Sequence, residues 1–315
     1  MISVLNNNWE ESKVNNKLIY KCAQDYNFSE IISRILIHNN FSEEEIFYLN
    51  NKSNKDQTFK NIKDFEKAWK LIEDQIKNNN KILLFGDYDV DGSCSVAMLA
   101  KYLKFRKAKF NYFIPDRFKD GYGPNIDLLK IFKKENYKLI IFMDCGTNAI
   151  NEIDYLNSQN IKSIIIDHHK IYDLSLKPSV FINPLKSKEY NKYDLFCSSN
   201  LVFFLLRFIL FKNKETKKFE LSSFLIYAAL GTICDVMPLK GINRKVCIEA
   251  INKFNIFRNN VFSNILKSNK INRELNIDDL GYIIGPILNS GGRLGKSNLA
   301  TKLLISEDKK EIEEI

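Results

Sequence analysis

The chain has no apolar run long enough to cross a bilayer. Its longest candidate, Leu201 to Phe211, is broken by Arg207 and is well short of the roughly 20 residues that a spanning helix needs. The opening stretch, Met1 to Glu10, is polar and acidic where a secretory leader is basic and then apolar, so a cytoplasmic location is expected. The six cysteines (Cys22, Cys94, Cys145, Cys197, Cys234 and Cys247) include no closely spaced pair, which argues against a disulfide framework or a zinc ribbon and for reduced thiols. Cys94, Cys145 and Cys234 fall beside acidic motifs, so a soft-metal site stays open at this stage. Histidine is scarce: of only three, His168 and His169 are adjacent, and His38 lies in a polar helical stretch where it reads as a surface residue. Neither an internal repeat nor a low-complexity tract stands out. A phosphate loop is excluded near the end, because Gly-x-x-x-x-Gly-Lys-Ser needs glycine at the position of Ser290.

What remains is a chain of 315 residues with 45% apolar content, enough for one large core or two ordinary ones. A net charge of +9 fits a polyanionic partner, though lysine-rich composition alone also produces it. Residues 1–60 read as a separate helical arm. Ile31, Ile32, Ile35 and Leu36 recur at helical spacing, Ser42 caps the acidic start Glu43-Glu44-Glu45, and Asn50 to Gln57 reads as a polar linker. An amphipathic helix at Ile62 to Asn78, with Phe65, Ala68, Trp69 and Ile72 on one face, then leads to an alternation of strands and helices. Apolar strand-like runs fall at Ile82 to Gly86, Phe110 to Ile114, Leu139 to Met143, Ile161 to Ile166 and Val180 to Ile182. Helical segments lie between them at Ser93 to Lys104, Ile126 to Glu135 and Ala149 to Gln159. That alternation predicts an α/β fold with a parallel sheet covered by helices on both faces. Beyond Pro184 the pattern is mostly helical, over Ser199 to Phe211, Leu221 to Leu230 and Arg244 to Phe254. The last residues, 306–315, read as the start of a connecting helix with no stop signal, the expectation being a longer parent protein.

The chemistry is concentrated where strands end. After Gly86 come Asp87, Asp89 and Asp91, three carboxylates at alternate positions. Crowded this way they repel one another and take up protons unless a cation sits among them; the alternative is a solvated acidic turn. The strand at Leu139 to Met143 runs into Asp144-Cys145-Gly146, and the strand at Ile161 to Ile166 into Asp167-His168-His169. Asp235, past an apolar helix, completes a plausible shell or is a turn residue. Carboxylates dominating over imidazole favour Mn²⁺ or Mg²⁺, and two such ions can clamp an in-line phosphoryl displacement. Asn289-Ser290-Gly291-Gly292-Arg293 reads as a glycine-rich turn, either structural or holding a phosphate through its amides and Arg293.

Taken together, Gly86 to Gly92, Asp144-Cys145-Gly146, Asp167-His168-His169 and Gly231 to Leu239 resemble, in order, the motifs of the DHH phosphoesterase superfamily. Ile114-Pro115-Asp116-Arg117, Gly121-Tyr122-Gly123-Pro124, and Gly285-Pro286 leading to Arg293 are similar to its bacterial single-strand-specific exonuclease branch, and the likeness runs from about Trp9 to Ile305. The resemblance implies a catalytic domain over 61–305. It implies two divalent ions held by Asp89, Asp91, Asp144, His168 and Asp235, with Asp144 shared and Asp87 a further ligand. His169 would act at the scissile phosphate, with Asp167 orienting the histidines. Arg117, Tyr122, Asn289, Ser290, Gly291, Gly292 and Arg293 would contact substrate, with Tyr88 and Tyr122 as stacking surfaces. The implied activity is 5′ to 3′ exonucleolysis of single-stranded DNA to 5′-mononucleotides in repair and recombination. The implied protein is a monomer off the membrane, with a helicase or single-strand-binding protein as the kind of protein partner. Two other readings stay open, a phosphodiesterase of short oligonucleotides or cyclic dinucleotides and a non-catalytic nucleic-acid-binding scaffold. The chain departs from the family pattern at Ile287, often arginine in relatives, and at Cys197-Ser198-Ser199-Asn200, which replaces a turn of small residues and glycine.

Overall fold

The computed structural model describes residues 2–8, 10, 13–50, 62–187, 195–257 and 260–315. Trp9 and, beyond Asn50, the expected linker lie outside the described residues. The chain divides into two compact units, Met1–Asp56 and Gln57–Ile315. The first holds α1 (Asn16–Tyr26), α2 (Glu30–His38) and α3 (Glu43–Asn50). Asn15 and Ser29 cap the first two, and Ser42 and Glu45 form a reciprocal capping box on the third. Cys22, Leu36 and Ile46 make its small core. Of the four apolar residues at helical spacing, Leu36 is buried, whereas Ile31, Ile32 and Ile35 are exposed.

The second unit begins with α4 (Lys63–Lys77) and builds a sheet from β1 (Ile82–Gly86), β2 (Phe110–Phe113), β3 (Leu139–Met143), β4 (Lys162–Ile166) and β5 (Val180–Ile182). The connecting helices are α5 (Val90–Phe105), α6 (Ile126–Lys134) and α7 (Ile150–Ser158). All the pairings are parallel, and the strand order is β2-β1-β3-β4-β5. The sheet is buried on both faces, as the unbroken Ile, Leu and Phe runs require. Ile82, Leu84, Ile141, Ile164 and Ile166 pack into the larger core with α5 and the later helices. Their alternates Leu83, Phe85, Ile140, Phe142 and Ile165 pack against Leu129 and Phe132 of α6 and Ile153 and Leu156 of α7.

The rest is helical: α8 (Ser198–Lys212), α9 (Leu225–Cys234), α10 (Gly241–Phe257), α11 (Asn260–Ser268), α12 (Ile277–Asp279), α13 (Gly285–Arg293), α14 (Leu299–Ile305) and α15 (Lys309–Glu314). Between α12 and α13 the chain takes a π-helical turn over Leu280–Ile284. Helices α5 and α8 are buried nearly all round, so their sequences are apolar on every face. Ile312 of α15 is buried in the main core.

A polar network ties α4 and α5 to the end of α8. Arg106 donates to both oxygens of Glu73 at 2.6 and 3.0 Å and to the Tyr102 hydroxyl at 2.7 Å. Asn213 donates to Glu73 at 2.8 Å and accepts from the Trp69 indole at 2.9 Å. Burial pushes Glu73 up, but Arg106 and Asn213 outweigh it and hold the carboxyl below its usual range. A depressed folded pKa gives stability that is present above the unfolded value, about 4.3, and is lost as pH falls through the folded one. Arg106→Met strands a buried carboxylate and is expected to lower stability by about 2 kcal/mol at pH 7. The deficit should shrink below about pH 4 as Glu73 protonates in the variant. Urea unfolding at both pH values measures this; an equal deficit at both would show that the ion pair is not the cause.

Candidate metal centre

In the order β2-β1-β3-β4-β5 the chain reverses its direction of winding between β1 and β3, and the carboxyl ends there open a crevice that α/β sheets use for ligands. The sheet register fills that crevice with acid. Gly86 pairs with Met143 and Met143 with Ile166, so the next residues, Asp87, Asp144 and Asp167, stand side by side. Their amides carry the ladder one step further, to the carbonyls of Met143, Ile166 and Ile182 at 3.2, 2.9 and 3.0 Å. Asp144 has a left-handed backbone (φ 63°), a conformation aspartate tolerates better than most residues and one that turns the chain away from the sheet. Val236, directly after Asp235, has φ 54°, which is a true strain for a β-branched residue and is localised at the same site.

From the β1–α5 turn, Asp89 caps α5, accepting from the Gly92 amide at 2.9 Å. Asp91 is wholly buried and clamped by the first turn of α8, its two oxygens accepting from the Ser198 and Ser199 amides at 2.7 and 2.9 Å. Ser198 donates from its hydroxyl to Asp144 at 3.1 Å. His168 Nε2 lies 2.9 Å from Asp235 Oδ2, 3.3 Å from Asp144 Oδ1 and 4.0 Å from Asp91 Oδ2. Two groups of ligand atoms result, each mutually within 4.8 Å: Asp91, Asp144, His168 and Asp235, and Asp87, Asp89 and Asp144. Asp144 belongs to both. A third grouping of the same kind joins Asp144 to His168 and His169.

Charge balance explains what this cluster is suited to hold. Burial, followed by repulsion from neighbouring acids, pushes Asp87 up to about 7, raises Asp89 and Asp91, and drives Asp144 well above the carboxylate range. Burial alone would lower His168, but Asp235 and Asp91 raise it to about 9, making the imidazole the cluster's own counter-charge. Asp87 Oδ1, Asp144 Oδ2 and His168 Nε2 are buried without a well-formed hydrogen bond. Buried carboxylate oxygens left over in this way, converging with an imidazole nitrogen, fit hard divalent cations. The groups contain no cysteine, and burial raises the Cys94, Cys145 and Cys234 thiols, so the soft-metal alternative finds no support among the described residues.

The second histidine is held differently. His169 Nδ1 lies 2.7 Å from Asp167 Oδ1, which also accepts the His168 and His169 amides. The other Asp167 oxygen accepts from the Thr147 amide at 3.0 Å. Burial would raise Asp167, yet these donors, His169 foremost, hold it at about 2, and the carboxylate in turn raises His169. Asn183, fully buried, donates to the His169 carbonyl and the Thr147 hydroxyl at 2.9 and 3.1 Å, locking the loop. The Tyr122 hydroxyl bridges the Asp144 carbonyl and the His169 ring at 3.2 and 3.4 Å, so this tyrosine is a positioning group as well as an exposed surface.

The glycine-rich reading of 289–293 needs correction. Asn289, Ser290, Gly291, Gly292 and Arg293 form the end of α13, so the amides of Gly291 and Gly292 lie within the helix and do not form an open anion-binding turn. The glycines serve close packing instead: a Cβ on Gly291 would meet the Lys296 carbonyl at 2.9 Å, and one on Gly292 the Tyr88 carbonyl at 3.3 Å. This seats α13 against the β1–α5 turn, leaving Arg293 exposed at the helix end and Asn289 half-buried. Arg117 is exposed on the same side, its guanidinium 5.6 Å from the centre of the Tyr88 ring. No role in the site was foreseen for Thr147, Asn183, Ser198, Ser199 or Gly231. Gly231 opened one of the resembled motifs, and the departure at Cys197 to Asn200 proves to be the helix start that grips Asp91.

Fold and site together define a parallel α/β domain with an oxygen-rich cation centre at its switch point. Residues 81–232 match the DHH family, N-terminal domain. Among curated proteins the chain is similar to the single-stranded-DNA-specific exonuclease RecJ of Bacillus subtilis, 26% identical over 310 residues, 98% of this chain and 38% of that protein. It is also similar to RecJ of Escherichia coli, 27% identical over 255 residues, 77% of this chain and 44% of that one. The chain thus spans less than half the length of these relatives. Its fold is like the crystal structure of RecJ in complex with Mn²⁺ from Thermus thermophilus, with a TM-score of 0.78, 21% identity, and coverage of 95% of this chain and 42% of that one.

Gly231 gives a direct test of how the site is built. A Cβ there would lie 2.0 Å from Asp91 Oδ1 and 2.1 Å from the Ser199 hydroxyl. Gly231→Ala is expected to push Asp91 off the α8 amides and weaken Mn²⁺ binding by about 10- to 100-fold. Calorimetric titration with circular dichroism as the fold control checks this, and an affinity equal to wild type would show that α9 does not set the position of Asp91.

Proposed function

We propose that this chain is the catalytic portion of a divalent-metal-dependent exonuclease that hydrolyses phosphodiester bonds of single-stranded DNA from the 5′ end, releasing 5′-mononucleotides during repair and recombination. The observation that carries the reading is the pair of carboxylate groups sharing Asp144 at the switch point of the sheet. Residues 61–305 are the catalytic domain in this reading, with 1–60 a helical arm and 306–315 the start of a connection onward. No helix among the described residues is long and apolar enough to cross a membrane. Cytoplasmic location, a monomeric state and a helicase or single-strand-binding partner belong to the proposal.

Asp91, Asp144, His168 and Asp235 would hold one Mn²⁺ or Mg²⁺ ion, and Asp87, Asp89 and Asp144 the second. When bound, such a pair lowers the pKa of water and neutralises charge on a phosphodiester. The protein's own part is to orient and to donate. His169, fixed through Nδ1 by Asp167, keeps Nε2 for the substrate, and its raised proton affinity suits donation to a phosphate oxygen. Arg117 and Arg293, both exposed, would meet the strand's phosphates, with Tyr88 beside Arg117 as a stacking surface.

Asp144→Ala should abolish Mn²⁺-dependent hydrolysis. His169→Ala should lower turnover by about 10²- to 10⁴-fold while leaving metal binding in place. The assay is shortening of a 5′-labelled twenty-mer, single-stranded against double-stranded, with Mn²⁺, Mg²⁺ or chelator. Unimpaired hydrolysis by Asp144→Ala would refute the site. Turnover of a dinucleotide without any shortening of the long strand would replace this reading with a short-oligonucleotide phosphodiesterase, and binding without hydrolysis would replace it with a scaffold.

A further inference from the structure

Asp91 and Asp235 enter the same cation group from different helices. Asp91 is gripped by the first turn of α8, Asp235 caps the end of α9, and the two offer ligand oxygens within 4.8 Å of each other. Like charges this close push their supports apart, so the end of α9 must be held against the start of α8. The backbone beyond Asp235 is poorly suited to do so. It leaves α9 through the left-handed Val236, whose side chain is exposed, and residues 237–240 have no regular structure.

A buried polar chain ties this loop down, with Asn243, in the first turn of α10, at its centre. Asn243 Nδ2 donates to the carbonyls of Leu195 and Pro238 at 2.7 and 3.1 Å, and its Oδ1 accepts from Asn200 Nδ2 at 3.1 Å. Asn200 Nδ2 also donates to the Thr232 hydroxyl at 2.7 Å, which donates in turn to the Ala228 carbonyl at 2.8 Å. Asn200, Thr232 and Asn243 are at most 1% exposed. Carbonyls only accept, so Asn243 must turn its nitrogen to them, which leaves its oxygen for Asn200 and obliges Asn200 to donate. Asn200 Oδ1 is consequently buried with no donor among the described residues, a cost accepted for that direction.

We infer that Asn243 is a positioning residue for Asp235: it sets the gap between Asp235 and Asp91, and through it the affinity of the cation group that contains both. The inference rests on the metal-centre reading and gives a role to a residue outside the motif stretch Gly231 to Leu239. One amide joins the loop that follows Asp235 to the first turn of α8, which holds Asp91, and to Leu195 just before it. Only a short side chain with two donors and an acceptor can make all three bonds; aspartate has no donor and leucine has neither. The group of Asp87, Asp89 and Asp144 contains neither Asp91 nor Asp235, so its ion should be little affected.

The test is Mn²⁺ titration by calorimetry of the full chain as wild type, Asn243→Ala, Asp235→Ala and the double variant, with circular dichroism as the fold control. Asn243→Ala should weaken one of two Mn²⁺ ions by about 10- to 100-fold and spare the other. In the Asp235→Ala background the same change should have no further effect, because a positioning residue acts only through what it positions. No weakening by Asn243→Ala, or equal weakening with and without Asp235, would overturn the inference while leaving the metal centre in place. Should Asn243→Ala not fold, Thr232→Val and Thr232→Ser take its place. Valine breaks the chain at the hydroxyl and should weaken the same ion, whereas serine keeps the hydroxyl and should bind like wild type; valine binding like wild type would overturn the inference. Wild type that binds no Mn²⁺ would overturn the metal-centre reading itself.

Discussion

Repulsion among carboxylates organises the second unit of this molecule. Parallel register alone brings Asp87, Asp144 and Asp167 side by side, and the β1–α5 turn and α9 add Asp89, Asp91 and Asp235. Without compensation such a cluster would spread apart or protonate, and the raised proton affinities of Asp87, Asp89, Asp91 and Asp144 express that pressure. The fold resists it with fixed dipoles: the α8 amides on Asp91, the Gly92 amide on Asp89, and the imidazole of His168 amid three acids. None of these satisfies the buried oxygens of Asp87 and Asp144 that have no donor. The residual negative charge is a binding energy held in reserve for cations.

Holding the acids together depends on the apolar interior behind them. The sheet is packed on both faces, and α5, α8 and α9 are buried helices whose starts or ends deliver Asp89, Asp91, Ser198 and Asp235 to the crevice. Helix termini make stiff mounts because their position follows from the packing of a whole helix. Close approach then requires the absence of side chains at Gly231, against Asp91, and at Gly292, against the β1–α5 turn. The two adjacent histidines separate by partner: His168 faces the acids, and His169 is turned by Asp167 towards an exposed cleft.

The strands and the acids at their ends were legible in the sequence because both signals are local: a short apolar run, then a polar motif. Strand boundaries agreed within a residue, as at Phe110–Phe113 against Phe110 to Ile114. Asp235 could be placed past its helix and offered as completing the shell, but a turn residue stayed open as the alternative until the family resemblance was added, since no local pattern tells which distant segment folds onto which. The grip of α8 on Asp91 was illegible for a related reason: it is made by backbone amides, which any residue carries. The glycines at 291 and 292 misled for the opposite reason. Glycine is the usual mark of a turn, and here it marks a helix pressed against a neighbouring backbone.

The central claim is that one carboxylate, Asp144, is shared by two cation sites. Electron paramagnetic resonance of the Mn²⁺-loaded chain, titrated to saturation, measures this directly. The account predicts two ions per chain with magnetic coupling between them, and loss of the coupling in Asp144→Asn. A single ion at saturation, or two uncoupled ions that bind equally well to Asp144→Asn, would contradict it.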